Sequence, residues 1–276
     1  MLSESTCFEI GLQPEVTQIV LSEYHQLLQD DFFEQNRETL RRLHQRGTWD
    51  DALAVLKESL GTDEHGFRML AVMLADMCHT KEAYREKGIS EEVYRATMAC
   101  FTRFVGEHKV SYGIYGFDRA FWTPRQLSMQ LFRIGELEYE LLQEGEKRLV
   151  SIHIPSDARM TPQGCRTSYE QAKAFFEQYY PEWAGVDYGC NSWLLAPGLK
   201  RILPEDSNII RFQNAFEIVK TDEEDRGFLE WVYKRMDIPY EELPEKTSLQ
   251  RNMKQFLLRG GKIGEADGIL KKDAWG

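Results

Sequence analysis

The sequence lacks the features of a secreted or membrane-spanning protein. Its five cysteines, at positions 7, 78, 100, 165 and 190, are odd in number, and no two of them form a CxxC pair. We therefore expect neither a disulfide framework nor a zinc ribbon, and a reducing compartment fits this cysteine usage. The most apolar run, Met69 to Ala75, is far too short to cross a bilayer. Because the first residues contain no basic and apolar segments of a signal peptide, we expect a cytoplasmic protein without membrane contacts.

Positive charge is also in deficit, and several familiar motifs are missing. The 34 Lys and Arg residues face 45 Asp and Glu residues, which gives a net charge of −11. An acidic chain repels phosphate backbones, so we expect no nucleic-acid partner. Walker A, HExxH, GxSxG and EF-hand patterns do not occur. The histidines form no convincing ligand pair, so no metal is expected.

The apolar residues that are present predict an α+β protein of two domains. With 276 residues, 42% of them hydrophobic, the chain is long enough for one large or two medium domains. Residues 1–128 show helical periodicity, as in Val16, Val20 and Leu27. Residues 129–276 begin with a period-two pattern over 130–142, followed by a polar turn and an apolar stretch over 148–154. We predict an all-helical N-terminal domain and a C-terminal α/β domain with a mixed sheet that opens on an antiparallel hairpin.

The next helix has a clear predicted beginning. Thr161 stands at an N-cap position and Pro162 at the first helical position, where the missing N–H costs nothing. We expect this helix to end near Tyr180 and a strand to follow over 186–195. The glycine-rich segment 260–270 suggests a closing hairpin.

Four short strings in the C-terminal half carry a resemblance to a known family. They are FRIG at 132–135, HIP at 153–155, CNSWLL at 190–195, and LP at 203–204 with SNI at 207–209. In this order they resemble a family that has an all-helical N-acyltransferase N-terminal domain and a GNAT-like C-terminal domain, here residues 1–128 and 129–276. The family more often has histidine where this chain has Asn191.

The resemblance implies transfer of an acyl group from a CoA thioester, either acetyl-CoA or another acyl-CoA, to an amine, without a metal. The strands at 148–154 and 186–195 would run parallel and splay apart, leaving a slot for pantetheine. The start of the helix at 162 would hold the pyrophosphate, because a helix N-terminus presents free N–H groups to an anion. We expect the backbone amides of residues 163–165 to point outward unbonded. The residues expected at this cosubstrate site are Arg159, Thr161, Gln163, Gly164, Cys165 and Arg166.

Three residues are candidates for the chemistry. His153 would accept the amine proton, Cys190 would serve as an alternative nucleophile beside it, and Tyr188 would protonate the leaving thiolate. The structural alternatives are a histidine bound to a loop carbonyl, a buried apolar cysteine and a packing tyrosine. Helix-dipole acidification of Cys165 is a weaker possibility.

The glutamates at 136, 138 and 140 share one face of the first predicted strand. We interpret this face as solvated, with a catalytic base among them as the alternative. At the level of the whole protein, two other functions stay open, a non-catalytic GNAT-shaped ligand-binding module and a Cys/His-dependent transferase or hydrolase. The acceptor, the acyl chain length and the oligomeric state are not readable from the sequence.

Overall fold

The computed structural model describes residues 1–234 and 236–274, and the chain divides into two compact units. Unit 1 runs from Met1 to Arg133 and unit 2 begins at Ile134. The α+β class predicted from the sequence is confirmed, since helices fill the first unit and a six-stranded sheet forms the second. No helix in the described part of the chain is long and apolar enough to span a membrane.

Unit 1 is built around its longest helix, α6, whose residues 69–74 are all buried. Gly66 and Gly88, both with positive φ, flank α6, a backbone conformation that glycine adopts without steric cost. The helices of this unit are α1 Glu4–Glu9, α2 Pro14–Gln29, α3 Phe32–Gln35, α4 Arg37–Arg42, α5 Trp49–Leu60, α6 Phe67–Lys87, α7 Glu91–Met98, α8 Cys100–Tyr112 and α9 Pro124–Leu127.

Unit 2 combines a mixed sheet with four α-helices among its described residues. The sheet has the order β1-β2-β3-β4-β6-β5, and the unit boundary falls within β1. Short 3-10 helices cover Pro181–Trp183, Trp193–Leu195, Pro197–Arg201 and Tyr240–Glu242. The main elements are β1 Leu131–Ile134, β2 Leu137–Glu144, β3 Lys147–His153, α10 Pro162–Tyr179, β4 Tyr188–Ser192, α11 Asn208–Asn214, β5 Phe216–Asp222, α12 Phe228–Tyr233, α13 Ser248–Leu258 and β6 Glu265–Leu270.

Two sequence predictions about strands are wrong. The single strand expected over 130–142 is two strands, β1 and β2, separated by a turn at Gly135 and Glu136. Gly135 has φ of +64°, a left-handed conformation that ends an extended strand. The closing hairpin expected over 260–270 is instead one strand, β6, which lies between β4 and β5 and pairs antiparallel with both. The segment does not fold back on itself in a tight turn, because β6 forms its hydrogen bonds with β4 and β5, which are distant in sequence.

The centre of the sheet has the parallel crossover that the family resemblance implies. β2 and β3 form an antiparallel pair, and α10 then connects β3 to β4, which runs parallel to β3. The parallel register contains two residue pairs, Val150 with Tyr188 and Ser151 with Gly189. Since β3 extends to His153 and β4 to Ser192, the two strands continue beyond the point where their pairing stops.

The two faces of this central region have different chemistry. On the α10 face, Val150 and Ile152 are fully buried, and Tyr139 packs on Phe176 of α10 with ring centroids 6.4 Å apart. Side chains alternate between faces along a strand, so the opposite face carries the residues between them. That face, here called the polar face, is defined by Glu138, Glu140, Ser151 and His153.

Candidate active site

His153 and Glu140 form a hydrogen-bonded pair on the polar face. His153 is the last residue of β3, and its Nε2 lies 2.9 Å from Oε2 of Glu140 on β2. In the strand register His153 stands opposite Glu138, so its bond to Glu140 is the diagonal contact that long side chains make across an antiparallel pair. A carboxylate that accepts Nε2–H orients the ring and selects the tautomer with its lone pair on Nδ1. The pair therefore has the form of a base with an orienting partner.

The glutamates of β2 are not the solvated face that the sequence predicts. Glu138 and Glu140 are only 3% and 4% exposed. β2 lies inside the sheet, and its residues from Leu137 to Leu141 are all buried. Alternation of Glu with apolar residues indicates two faces but does not tell whether the polar one is covered. A buried carboxylate is costly unless it is paired, and His153 supplies that partner for Glu140.

Tyr188 and Cys190 lie on the other face of the sheet from His153. Tyr188 is in register with Val150 and packs against the ring of Tyr169 with centroids 4.9 Å apart. Cys190 follows two residues later on the same face and is 3% exposed. The structure therefore brings His153 together with Glu140 and separates it from both of these residues.

Burial keeps the side chains of Tyr188 and Cys190 protonated. It raises the pKa of the Cys190 thiol, and the charge of Asp267 raises it further. Burial, followed by the nearby Tyr169 and Glu177, likewise raises the pKa of Tyr188. A thiolate nucleophile at Cys190 is thus disfavoured, whereas a protonated Tyr188 hydroxyl has the form needed by a proton donor.

The helix predicted to start at Thr161 and Pro162 is present as α10, and its first turn is capped. Thr161 Oγ1 accepts a hydrogen bond from the amide of Gly164 at 3.1 Å, and the Thr161 carbonyl accepts one from Cys165 at 2.9 Å. The prediction that the amides of residues 163–165 are all unbonded is therefore wrong for two of the three. The N-cap side chain and the first helical turn bind them.

A carboxylate from another element lies over this helix start. Oε2 of Glu136 accepts a hydrogen bond from the backbone amide of Arg159 at 2.9 Å. A Cβ placed on Gly164 would lie 2.9 Å from Cγ of Glu136 and 3.2 Å from its Oε1. Gly164 is thus required for the close approach of Glu136, a contact that the sequence pattern did not reveal. The residue preceding the cap, Met160, has φ of +52°, which is uncommon for a residue with a side chain.

The remaining predicted cosubstrate residues surround the same turn. Cys165 is fully buried, and burial together with the charge of Glu136 raises its pKa to about 12, opposite to the acidification considered from the sequence. Gln163 is exposed and donates to Thr167 Oγ1 at 3.2 Å. The Nε atom of Arg166 is buried, and it has no hydrogen-bond partner within residues 1–234 and 236–274. The predicted residues therefore lie along the start of α10, where Glu136 contacts Arg159 and Gly164.

The described part of the chain offers no metal-binding cluster. No group of three or more His, Cys, Asp or Glu side chains is arranged there to hold a metal ion. The five cysteines are free thiols.

Solved structures with the same fold are acyltransferases. An acyltransferase mutant in complex with octanoyl-CoA matches with a TM-score of 0.84 and 22% identity, over 97% of this chain and 86% of that one. An acyltransferase in complex with decanoyl-CoA matches with a TM-score of 0.79 and 21% identity, over 96% and 86%. A complex of an acyltransferase with decanoyl-CoA and teicoplanin matches with a TM-score of 0.70 and 22% identity, over 98% and 99%. At this identity the likeness establishes the fold.

The sequence itself matches two domain families that together cover nearly the whole chain. Residues 1–129 match the N-acyltransferase N-terminal domain, and residues 131–270 match the GNAT-like C-terminal domain. No curated protein matches the chain significantly. The chain belongs to the family with a GNAT-like C-terminal domain, which confirms the resemblance drawn from the four sequence strings.

Proposed function

We propose that this protein transfers an acyl group from an acyl-CoA thioester to an amine. The observation that carries the proposal is the site at the end of β3. There the parallel pairing of β3 and β4 stops after two residue pairs, and His153 is held by the buried Glu140. Membership in the GNAT-like family and the acyl-CoA complexes of the structural neighbours support the same reaction class.

The end of the ladder pairing between β3 and β4 supports a binding slot for the acyl donor. Strands that separate leave N–H and C=O groups without their ladder partners, and an extended pantetheine arm can bond to such groups. The start of α10 lies directly after β3 in the chain and supplies a helix N-terminus for the diphosphate. The unpartnered Nε of Arg166 is a further donor for phosphate oxygens.

The reaction needs one base and accurate alignment. The amine nitrogen attacks the thioester carbonyl carbon, a C–N bond forms, and the C–S bond breaks to release CoA. His153 takes the proton from the attacking nitrogen, and Glu140 stabilises the imidazolium that results. The CoA thiolate takes up a proton from solvent on release, because Tyr188, the donor expected from the sequence, lies on the opposite face of the sheet from His153. Buried carboxylates on the polar face favour a basic acceptor over an acidic one.

The other two functions considered from the sequence are less well supported. A Cys/His-dependent mechanism requires Cys190 beside His153, but the strand register places them on opposite faces. A purely binding role would leave the His153 and Glu140 pair with a structural function alone, as a buried carboxylate and its partner.

The experiment is a donor and acceptor screen on the full chain. Binding of acetyl-, octanoyl- and decanoyl-CoA is measured by calorimetry, and CoA release in the presence of an amine library is followed with a thiol reagent. We expect binding of at least one donor and amine-dependent CoA release that is lost in His153→Gln. Binding without release for any amine would favour the binding module, and binding of no donor would refute the proposal.

A further inference from the structure

The side chain of Glu136 lies against the start of α10, the element to which the proposed function assigns the donor's diphosphate. Its Oε2 accepts the Arg159 amide at 2.9 Å, and its Cγ and Oε1 lie over Gly164 in the first turn of α10. A helix N-terminus favours a negative charge within its first turn. The carboxylate therefore places a negative charge beside the helix start and binds the nearby Arg159 amide, where a bound phosphate would also place its charge.

The backbone that carries Glu136 is fixed against α10. Oγ of Ser168 accepts the amide of Leu137 at 3.2 Å and donates to the carbonyl of Ile134. It also bonds to the hydroxyl of Tyr139 at 2.9 Å. These hydrogen bonds fix the backbone on both sides of Glu136. The position of its side chain at the helix start therefore follows from the fold of the turn.

The side chain itself is free to leave without unfolding. Glu136 is partly exposed, whereas Glu138 and Glu140 are buried. A glutamate has rotatable bonds that can carry its carboxylate into solvent while the backbone stays in place. A second anion at this helix start is disfavoured while the carboxylate is there, because like charges at contact distance repel strongly.

We propose that Glu136 is an autoinhibitory contact at the donor site, which the diphosphate of the acyl-CoA must displace on binding. This inference rests on the proposed function, since it concerns occupancy of the same site. The contact lowers donor affinity, and it keeps the Arg159 amide bonded while no donor is bound. It also makes binding selective, because only a ligand with enough negative charge competes with an intramolecular carboxylate.

The test compares donor affinity in Glu136→Gln and Glu136→Ala with that of the wild type. Glu146→Gln is the matched control, because Glu146 is an exposed glutamate in the turn between β2 and β3 of the same sheet. We expect both Glu136 variants to bind acyl-CoA about two- to thirtyfold more tightly, the range for a charge at a helix terminus. The Glu146 control should bind as the wild type does. An acyl-pantetheine without phosphates should bind wild type and variants equally, since it does not compete with the carboxylate.

The possible outcomes distinguish a failure of this inference from a failure of the proposed acyl transfer. Unchanged or weaker acyl-CoA binding in the Glu136 variants overturns the autoinhibitory contact but leaves acyl transfer standing. Equal gains with acyl-CoA and acyl-pantetheine also overturn it, because the effect is then not competition for the diphosphate. Binding by neither wild type nor variants refutes the proposed function itself. Thermal unfolding of each variant excludes loss of fold as the cause, and Glu136→Gln serves if Glu136→Ala is unstable.

Discussion

Replacement of Glu140 by glutamine tests whether the buried carboxylate serves catalysis. Glutamine has nearly the same shape, so the packing of β2 is retained while the negative charge is removed. Its amide is able to donate to His153 instead of accepting, which permits the wrong tautomer of the imidazole. We therefore expect Glu140→Gln to lower kcat with little change in fold.

The expected size of the effect follows from the contact. Nε2 of His153 and Oε2 of Glu140 are 2.9 Å apart, and the carboxylate is 4% exposed. A hydrogen bond to a charged group contributes about 1.5–3 kcal/mol. If this stabilisation is lost only in the transition state, the activation free energy rises by the same amount. Since 1.36 kcal/mol corresponds to a tenfold change in rate, kcat falls about 10- to 150-fold.

The assay is a double-mutant cycle on CoA release under saturating donor. His153→Gln alone should lower kcat about 100- to 10,000-fold, as expected for loss of a general base. Since Glu140 acts through His153, the double variant should be no slower than His153→Gln. Glu144→Gln, at the exposed end of the same strand, is the control. A Glu140→Gln enzyme with at least half the wild-type kcat, or additive effects in the cycle, would refute the reasoning.

Three further predictions concern other residues. Cys190→Ala should keep kcat within about threefold of the wild type, because its buried thiol is neutral; an inactive but folded variant contradicts this. Ser168→Ala should lower the free energy of unfolding in urea by about 1–3 kcal/mol, because it leaves buried partners such as the Tyr139 hydroxyl without their bond; a change below about 0.5 kcal/mol contradicts it. Burial lowers the pKa of His44, but the 2.8 Å bond to Asp76 outweighs it, so the folded-state pKa is raised. This stabilisation is complete below the unfolded pKa of about 6.5 and is lost as pH rises through the higher folded value. Urea unfolding between about pH 5 and 9 should show this loss in the wild type and not in His44→Gln; equal profiles contradict it.

Local patterns in the sequence predicted the elements that local interactions stabilise. The cap at Thr161 and the proline after it define the start of α10, because both act within one helical turn. The hairpin of β2 and β3 follows from alternation on either side of a polar turn. The local pattern alone did not predict the parallel pairing of β3 and β4, which was expected from the family resemblance.

The parts that the sequence did not predict depend on contacts between distant residues. Glu138 and Glu140 alternate with apolar residues just as exposed glutamates do, so the pattern does not report what covers them. Glu136 was grouped with them, but it lies in the turn between β1 and β2, and its side chain contacts the start of α10 instead. The position of β6 between β4 and β5 is likewise a matter of pairing between strands far apart in the chain.

The distribution of ionisable groups over the two faces of the sheet favours direct transfer over an acyl-enzyme. The thiols of Cys165 and Cys190 lie in the packed interior of unit 2, where burial raises their pKa. A covalent route would need one of them as a thiolate. Burial disfavours the thiolate, because it raises the pKa of both thiols. Direct transfer needs only a proton acceptor beside the amine, and the polar face supplies one at His153 with its carboxylate partner. The strand register of β2, β3 and β4 sets the separation of Cys190 from His153, so a single loop movement does not reverse it, and the preference for direct transfer that we propose follows from that pairing.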